Sequence, residues 1–220
     1  GRRLDRAAEP TGVVDGIVGL RSLHLEIDGE ANHAGTTLPE DRRDALVPLA
    51  EAVVEAQRLM RESSSDVLLT VGEAGVVGGA TNIVPGRVRA TLDVRSMETA
   101  AMQSAIDRVV EVLRAAAEAN GCSIRVQERK RLEPVRMDER VVSACLGAAR
   151  ARGLDPPTLA SMAGHDAMTL AAAGTACGMI FVRSRAGISH SPEESSSRGD
   201  CVEGVHLLAG AALELAGSSR

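Results

Sequence analysis

The sequence predicts an α/β chain in two parts: a βαββαβ unit with a four-stranded antiparallel sheet and two helices, then a portion of a larger α/β domain. Three observations lead there. Runs of period two alternate with runs of helical period as far as Glu133-Pro134. Beyond that point the continuous apolar run Cys177-Gly178-Met179-Ile180-Phe181-Val182 lies between helical segments, the pattern of a parallel strand buried on both faces. The second part also offers only two strands for three helices, so its sheet reads as incomplete.

In chain order, Leu23, Leu25 and Ile27 alternate with His24, Glu26 and Asp28 as a half-buried strand. Leu46, Leu49, Ala50, Val53 and Met60 recur at helical spacing, and Glu40-Asp41 read as the helix start. Val67, Leu69 and Val71 predict a second strand, which turns at Gly78-Gly79. Val88, Ala90, Leu92 and Val94 predict a third, with Arg87, Arg89, Thr91, Asp93 and Arg95 on its other face. A helix through Met102, Ile106, Val109 and Leu113 stops at Asn120-Gly121, and Ile124 and Val126 begin a fourth strand.

The second part opens with a helix through Val141, Val142, Cys145 and Ala149 that ends at Gly153. A short strand near Thr158–Met162, a helix after Gly164 and the apolar run follow. A last helix reads as opened by Asp200, with Glu203 at capping-box spacing.

Composition bounds the function. Of the 220 residues 44% are hydrophobic and 25% charged, and there is one Phe with no Tyr or Trp, so the core is aliphatic. The net charge of −5, with both signs interspersed, argues against nucleic acid as a partner. No apolar stretch approaches bilayer length and no signal peptide is visible, so no membrane role is expected. Cys122, Cys145, Cys177 and Cys201 are widely spaced, the usage of a reducing compartment, and the expected location is cytoplasmic.

The segment Gly29-Glu30-Ala31-Asn32-His33-Ala34-Gly35-Thr36-Thr37 is the most informative. Small residues flank His33, so its imidazole stands clear at a strand end, where it could donate to a developing oxyanion. Alone, His33 reads more readily as an exposed loop histidine. With Arg42-Arg43-Asp44-Ala45-Leu46, however, the segment resembles the lid signature of M20 peptidase-class metal-dependent amidohydrolases, the group of allantoate amidohydrolase, N-carbamoyl-L-amino-acid hydrolase and beta-ureidopropionase. Thr81-Asn82-Ile83-Val84-Pro85-Gly86 resembles that group's turn, and Asp93-Val94-Arg95-Ser96 its strand end. Gly164-His165-Asp166-Ala167 is similar to its helix start, and Ile180 to Val182 with Gly187-Ile188-Ser189-His190-Ser191-Pro192-Glu193-Glu194 to its last motif.

The resemblance implies a lid or dimerisation domain at 20–133, the C-terminal part of an α/β zinc-hydrolase catalytic domain at 134–220, and the end of its N-terminal segment with a linker at 1–19. It implies hydrolysis of non-peptide C–N bonds in linear amides by two divalent metal ions, Zn or Mn, Co or Ni, with a small ureido or carbamoyl substrate and a homodimer through the lid. By position, His190 would be a metal ligand, and His33 would reach into the partner's site to polarise the scissile carbonyl. Asn82 and Arg95 would bind substrate, Arg95 through a two-pronged carboxylate contact, and Gly187, Ile188 and Ser189 would offer backbone donors. Unaided by the motif, Arg95 is as readily one more arginine on a solvated strand face, and His190 an exposed loop histidine. Asp166 reads as a helix cap.

Two departures stand out. The Gln that follows the group's "G-I-x-G" stretch is Leu20 here, which argues against allantoate in particular. The "H-x-D", paired "E-E" and "H-I-E-Q-G" motifs, which carry the remaining ligands and the general base, would precede Gly1. The chain is thus expected to be an N-terminally truncated fragment, inactive alone. A non-catalytic dimerisation protein and one half of a split enzyme are the alternatives, and N-acyl amino acids or dipeptides the alternative substrates.

Overall fold

The computed structural model describes residues 2–62 and 67–217, so Gly1 lies outside the described residues. In chain order they form α1 (Arg3–Ala7), β1 (Thr11–Ile17), β2 (Gly19–Asp28), β3 (Asn32–His33), α2 (Leu46–Glu62), β4 (Leu68–Val76), β5 (Ile83–Val84) and β6 (Arg87–Ser96). There follow α3 (Thr99–Ala119), β7 (Ser123–Leu132), β8 (Val135–Arg136), α4 (Glu139–Arg150), β9 (Thr158–Ser161), α5 (Asp166–Ala172), β10 (Met179–Val182) and α6 (Arg198–Gly217). Two compact units result: Gly19–Pro134, and the flanking stretches through Val18 and from Val135 onward.

The Gly19–Pro134 unit is the predicted βαββαβ arrangement. Its sheet runs β4-β6-β2-β7 with every pair antiparallel. Leu23, Leu25 and Ile27 of β2 and Val88, Ala90, Leu92 and Val94 of β6 are all buried, as period two requires. They pack on Leu49, Ala52 and Ala56 of α2 and Met102, Ile106, Val109 and Leu113 of α3, a closed core without one aromatic ring. The opposite sheet face is laced by charge. Glu26 accepts from Arg89 Nε at 2.8 Å and Arg125 Nη1 at 3.0 Å, and Asp28 pairs with Arg87. On the helix-facing side, buried Arg21 is neutralised by Glu128 and donates to Gln103 of α3 at 3.0 Å.

One helix boundary differs from expectation. Glu40 and Asp41 belong to a separate 3-10 turn, Pro39–Asp41, and α2 starts at Leu46, whose N–H is accepted by Asp44 Oδ1 at 2.9 Å. Between these points the chain runs extended through Arg42, which leaves Asp44 as the residue placed to satisfy the first free N–H of the helix.

The second unit corrects the strand count. Its sheet has four strands, with Thr11–Ile17, for which no strand was predicted, paired to all the others. β1 runs antiparallel to β10 and β8 on one side and parallel to β9 on the other. The apolar run of β10 is therefore an antiparallel strand and is half-buried along its length. α4 and α6 pack on this sheet around Val13, Ala144, Cys145, Ala148 and Ala211. Asp200 does not open α6. The helix starts at Arg198, Ser197 Oγ accepts the Asp200 N–H at 3.0 Å, and the Asp200 carboxylate is taken by Arg183 at 3.0 and 3.1 Å. Glu203 instead receives both prongs of Arg152. Likewise His165, not Asp166, caps α5, its Nδ1 accepting the Ala167 N–H at 3.2 Å.

The two helices of the first unit are tied by a buried carboxylate. Glu55 on α2 accepts from Arg58 at 2.7 and 2.8 Å and from Arg108 of α3 at 2.8 Å. Hydrogen bonds from Arg58 and then Arg108 outweigh burial and bring its carboxyl from 4.5 down to about 2. Because the folded value is depressed, the stabilisation is complete above pH 4.5 and is lost as pH falls toward 2. E55Q should therefore melt below the wild type at pH 7, with the gap closing over that acid window. Equal melting temperatures at pH 7 would contradict the assignment.

Candidate functional site

His33 sits on a small hairpin-like ladder that the backbone anchors tightly. β3 pairs with β5, matching Asn32 to Val84 and His33 to Ile83, and the Ala34 N–H donates to Asn82 O at 2.8 Å. Gly29 and Gly86 make this possible. A Cβ on Gly29 would lie 2.0 Å from the Arg43 carbonyl oxygen, and one on Gly86 would lie 2.5 Å from Ala31 N. With no side chain there, Gly29 N–H reaches Gly86 O at 2.8 Å, Glu30 N–H reaches Arg43 O at 2.9 Å and Ala45 N–H reaches Pro85 O at 2.8 Å.

The loop after His33 closes on itself. Thr37 Oγ1 donates to His33 O at 2.7 Å, and the N–H groups of Thr36 and Thr37 point at the same oxygen. Arg42 crosses the loop, its Nη2 on Ala34 O at 2.6 Å and its Nε on Thr37 O at 3.2 Å. The sequence reading missed Arg42 as a builder of the site, although it stands in the motif that carries the resemblance. The imidazole itself is exposed, and its Nδ1 accepts the Gly35 N–H at 3.1 Å. That bond assigns the neutral ring its proton on Nε2, so a donor is presented outward.

The predicted residues of this unit fall at two places. His33, exposed on β3, pairs with Ile83, and exposed Asn82 just before β5 accepts the Ala34 N–H, so the two residues are close along the backbone. Arg95 lies near the far end of β6, eight residues beyond Arg87, or roughly 27 Å along an extended strand. Half-buried, it makes a bidentate contact with Asp93 on its own strand face, at 2.8 and 3.2 Å. Its guanidinium is thus held in one plane by Asp93, as Arg87 and Arg89 are held by Asp28 and Glu26. An open depression of about 570 Å³ near the loop is bordered by Asn32, Thr36, Thr37, Arg42 and Arg43, without His33 or Asn82. A group standing this far into solvent needs a second surface to enclose a ligand.

In the other unit, His190 occupies a loop built from both sides. Ser184 Oγ donates to Ile188 O at 2.6 Å and the Arg185 N–H to Ser195 O at 2.8 Å. Ala186, Gly187 and His190 all have positive φ, 53°, 65° and 57°. A left-handed histidine is uncommon and is held here by Glu194, whose Oε2 accepts the His190 N–H at 2.8 Å. The expected backbone donors are only partly available. Gly187 N–H is taken by Ser184 O and Ile188 N–H by Arg185 O, which leaves Ser189 as the one of the three outside that turn. Among the described residues no group of three or more His, Cys, Asp or Glu side chains could hold a metal ion. His190 alone does not fit a binuclear centre. Among the described residues no helix is long and apolar enough to cross a membrane.

With this geometry in hand, similarity to known proteins is informative. Residues 16–121 match the family described as Peptidase dimerisation domain, M20_dimer. An N-carbamoyl-L-amino-acid amidohydrolase of Paenarthrobacter aurescens is 40% identical over 197 residues, which cover 90% of this chain and 48% of that protein. An allantoate amidohydrolase of Bacillus subtilis is 32% identical over 216 residues, 98% of this chain and 52% of that protein. A solved amidase of the hydantoinase/carbamoylase family from Burkholderia multivorans superposes with a TM-score of 0.91 at 29% identity, over 97% of this chain and 52% of its own. The chain thus spans about half the length of the relatives it matches.

The tautomer of His33 is directly measurable. Nitrogen-15 shifts of the neutral ring should show a bare Nδ1 and a protonated Nε2, and G35A should disturb them, since its Cβ would meet the ring at 3.2 Å. A protonated Nδ1 in the wild type would overturn the donor assignment.

Proposed function

Residues 16–121 belong to the M20 peptidase dimerisation-domain family, within a chain related along its length to amidohydrolases, and on that premise we propose that it serves a metal-dependent hydrolase of non-peptide C–N bonds in linear amides. The substrate is an N-carbamoyl amino acid or a ureido acid. The observation that carries this reading is the anchored β3–β5 ladder, which holds His33 with an Nε2–H donor outward. In this role His33 donates to the oxyanion that forms as the carbamoyl carbonyl is attacked. Arg95, pre-aligned by Asp93, receives the substrate carboxylate. N-carbamoyl amino acids are preferred to allantoate because Leu20 stands where the resemblance implies a Gln for allantoate.

Residues 20–133 act as the lid in this reading and 134–220 as part of the catalytic domain, with His190 as the one metal ligand contributed. The other ligands and the general base come from outside this sequence, and the metals, zinc or a similar divalent ion, bind tightly only once those are present. The separation of His33 and Asn82 from Arg95 favours a site shared by two lids, each giving one cluster, in a cytoplasmic homodimer. Of the two sheet edges, β7 carries Arg125, Glu128, Arg129, Lys130 and Arg131, which discourages pairing, whereas β4 has Glu73 alone. Val54, 68% exposed on the helix that packs against β4, and Leu68, 44% exposed on β4 itself, are apolar, so the lids pair along this edge.

The test joins the part of the Paenarthrobacter aurescens relative that this chain does not match to this chain and measures ammonia release with divalent metal. N-carbamoyl-L-amino acids should turn over, and H33A should lower kcat about 100- to 1000-fold. The fusion should sediment as a dimer and V54E/L68K as a monomer. A folded, metal-loaded fusion that hydrolyses only dipeptides or N-acyl amino acids, or turnover by the present chain alone, would contradict the reading.

A further inference from the structure

One peptide group joins two of the hydrogen bonds around His33. The Ala34 carbonyl oxygen and the Gly35 N–H belong to the same planar unit, so neither can turn without the other. Arg42 donates to that oxygen from Nη2 at 2.6 Å, and from the other side of the plane the Gly35 N–H donates to His33 Nδ1 at 3.1 Å. The path from guanidinium to imidazole thus runs through a single peptide.

The guanidinium acts on this peptide in two ways. Its fork is rigid, and its Nε holds Thr37 O at 3.2 Å, so the oxygens at the two ends of the Ala34–Thr37 turn are kept at a fixed spacing. Its positive charge sits at the negative end of the peptide dipole and draws electron density from the N–H, which becomes a stronger donor to Nδ1. A firm donor at Nδ1 keeps that nitrogen bare and leaves the hydrogen of the neutral ring on Nε2.

The other bonds at His33 do not fix the ring. Asn32 Oδ1 accepts the His33 N–H at 2.8 Å and Thr37 Oγ1 donates to the His33 oxygen at 2.7 Å, and both hold main chain only. Arg42 comes within reach because its backbone is extended, at φ −77° and ψ 134°, between the turn Pro39–Asp41 and α2. Neighbouring Arg43 reaches Glu30 at 3.7 Å instead, so the two arginines of the segment are not equivalent. His165 offers a comparison within the chain. Its Nδ1 also accepts a nearby N–H, from Ala167 at 3.2 Å, but among the described residues no arginine is hydrogen-bonded to the oxygen of that peptide.

We propose that Arg42 is a positioning residue for the hydrolytic reaction: through the Ala34–Gly35 peptide it sets the orientation and tautomer of the His33 ring, and with them the Nε2–H donor. This rests on the amidohydrolase reading above. The effect falls on the transition state, where the donor is used, and spares the substrate carboxylate, which is the part of Arg95.

Two readouts test the proposal and keep it apart from the hydrolase reading. The first uses this chain alone and needs no turnover. Nitrogen-15 shifts of the neutral imidazoles, with H33A identifying the His33 signals, should show mixed tautomers for His33 in R42A and leave the His165 signals unmoved. R42K, which reaches one carbonyl but lacks the fork, should fall between R42A and the wild type. Unchanged His33 shifts in folded R42A overturn the proposal, and should R42A not fold, unchanged shifts in R42K do so. The second readout uses the fusion. R42A should lower kcat about 10- to 100-fold and change KM less than about threefold, and in an H33A background it should cost almost nothing further, because it acts through the ring. A loss as large in that background as in the wild type overturns the proposal, since Arg42 would then act elsewhere. A wild-type fusion without turnover removes the hydrolase reading, while the nitrogen-15 shifts still decide whether Arg42 sets the ring.

Discussion

Where the chain passes from β2 toward α2, Gly29 approaches the Arg43 carbonyl so closely that any side chain would collide with it, and the candidate catalytic loop is organised around that crossing. Three backbone hydrogen bonds at the crossing, from Gly29, Glu30 and Ala45, join the end of β2, the start of α2 and the segment leading into β6. His33 is exposed and gains nothing from the core, so packing cannot position it. Its place is set by backbone hydrogen bonds to its carbonyl, by the β3–β5 ladder and by Gly35 at its Nδ1. A donor held in this way loses little freedom when charge develops in front of it.

The two units solve the problem of an aliphatic core differently. In Gly19–Pro134 two amphipathic helices and the inner sheet face bury one another, and charge pairs cover the outer face. In the other unit α6 brings apolar side chains to both its faces, and the sheet keeps open edges. The first arrangement is complete without help.

Much of the first unit was legible because its contacts repeat with the period of the elements, so Leu23, Leu25 and Ile27 declare the buried face of β2 directly. β1 was not, since Thr11–Ile17 carries Gly12 and Gly16, and its partners β8, β9 and β10 come from the other end of the chain. The apolar run of β10 suggested a parallel strand buried on both faces, yet such a run also suits a half-buried antiparallel strand at an open edge. Capping failed where short polar residues crowd together: Ser197 and Asp200 compete to begin α6, and the choice turns on Arg183, which claims the aspartate. In the site, motif residues such as His33 and Asn82 could be named from their neighbours. The side chains that hold backbone in place, Arg42 at the His33 loop and Glu194 at His190, follow no periodicity and became visible only in three dimensions.

The central claim is that this chain supplies both clusters of a hydrolase site shared by two lids, with His33 and Asn82 at one end of a unit and Arg95 at the other. The direct measurement is turnover of an N-carbamoyl-L-amino acid by the fusion protein when an H33A preparation and an R95A preparation, each inactive by itself, are dissociated and reassembled together. Sharing across the dimer predicts recovery of about a quarter of the wild-type rate, because half of the randomly paired dimers are mixed and each of those has one intact site. No recovery in demonstrably mixed dimers would mean that both residues serve one site from one chain, and would contradict the account.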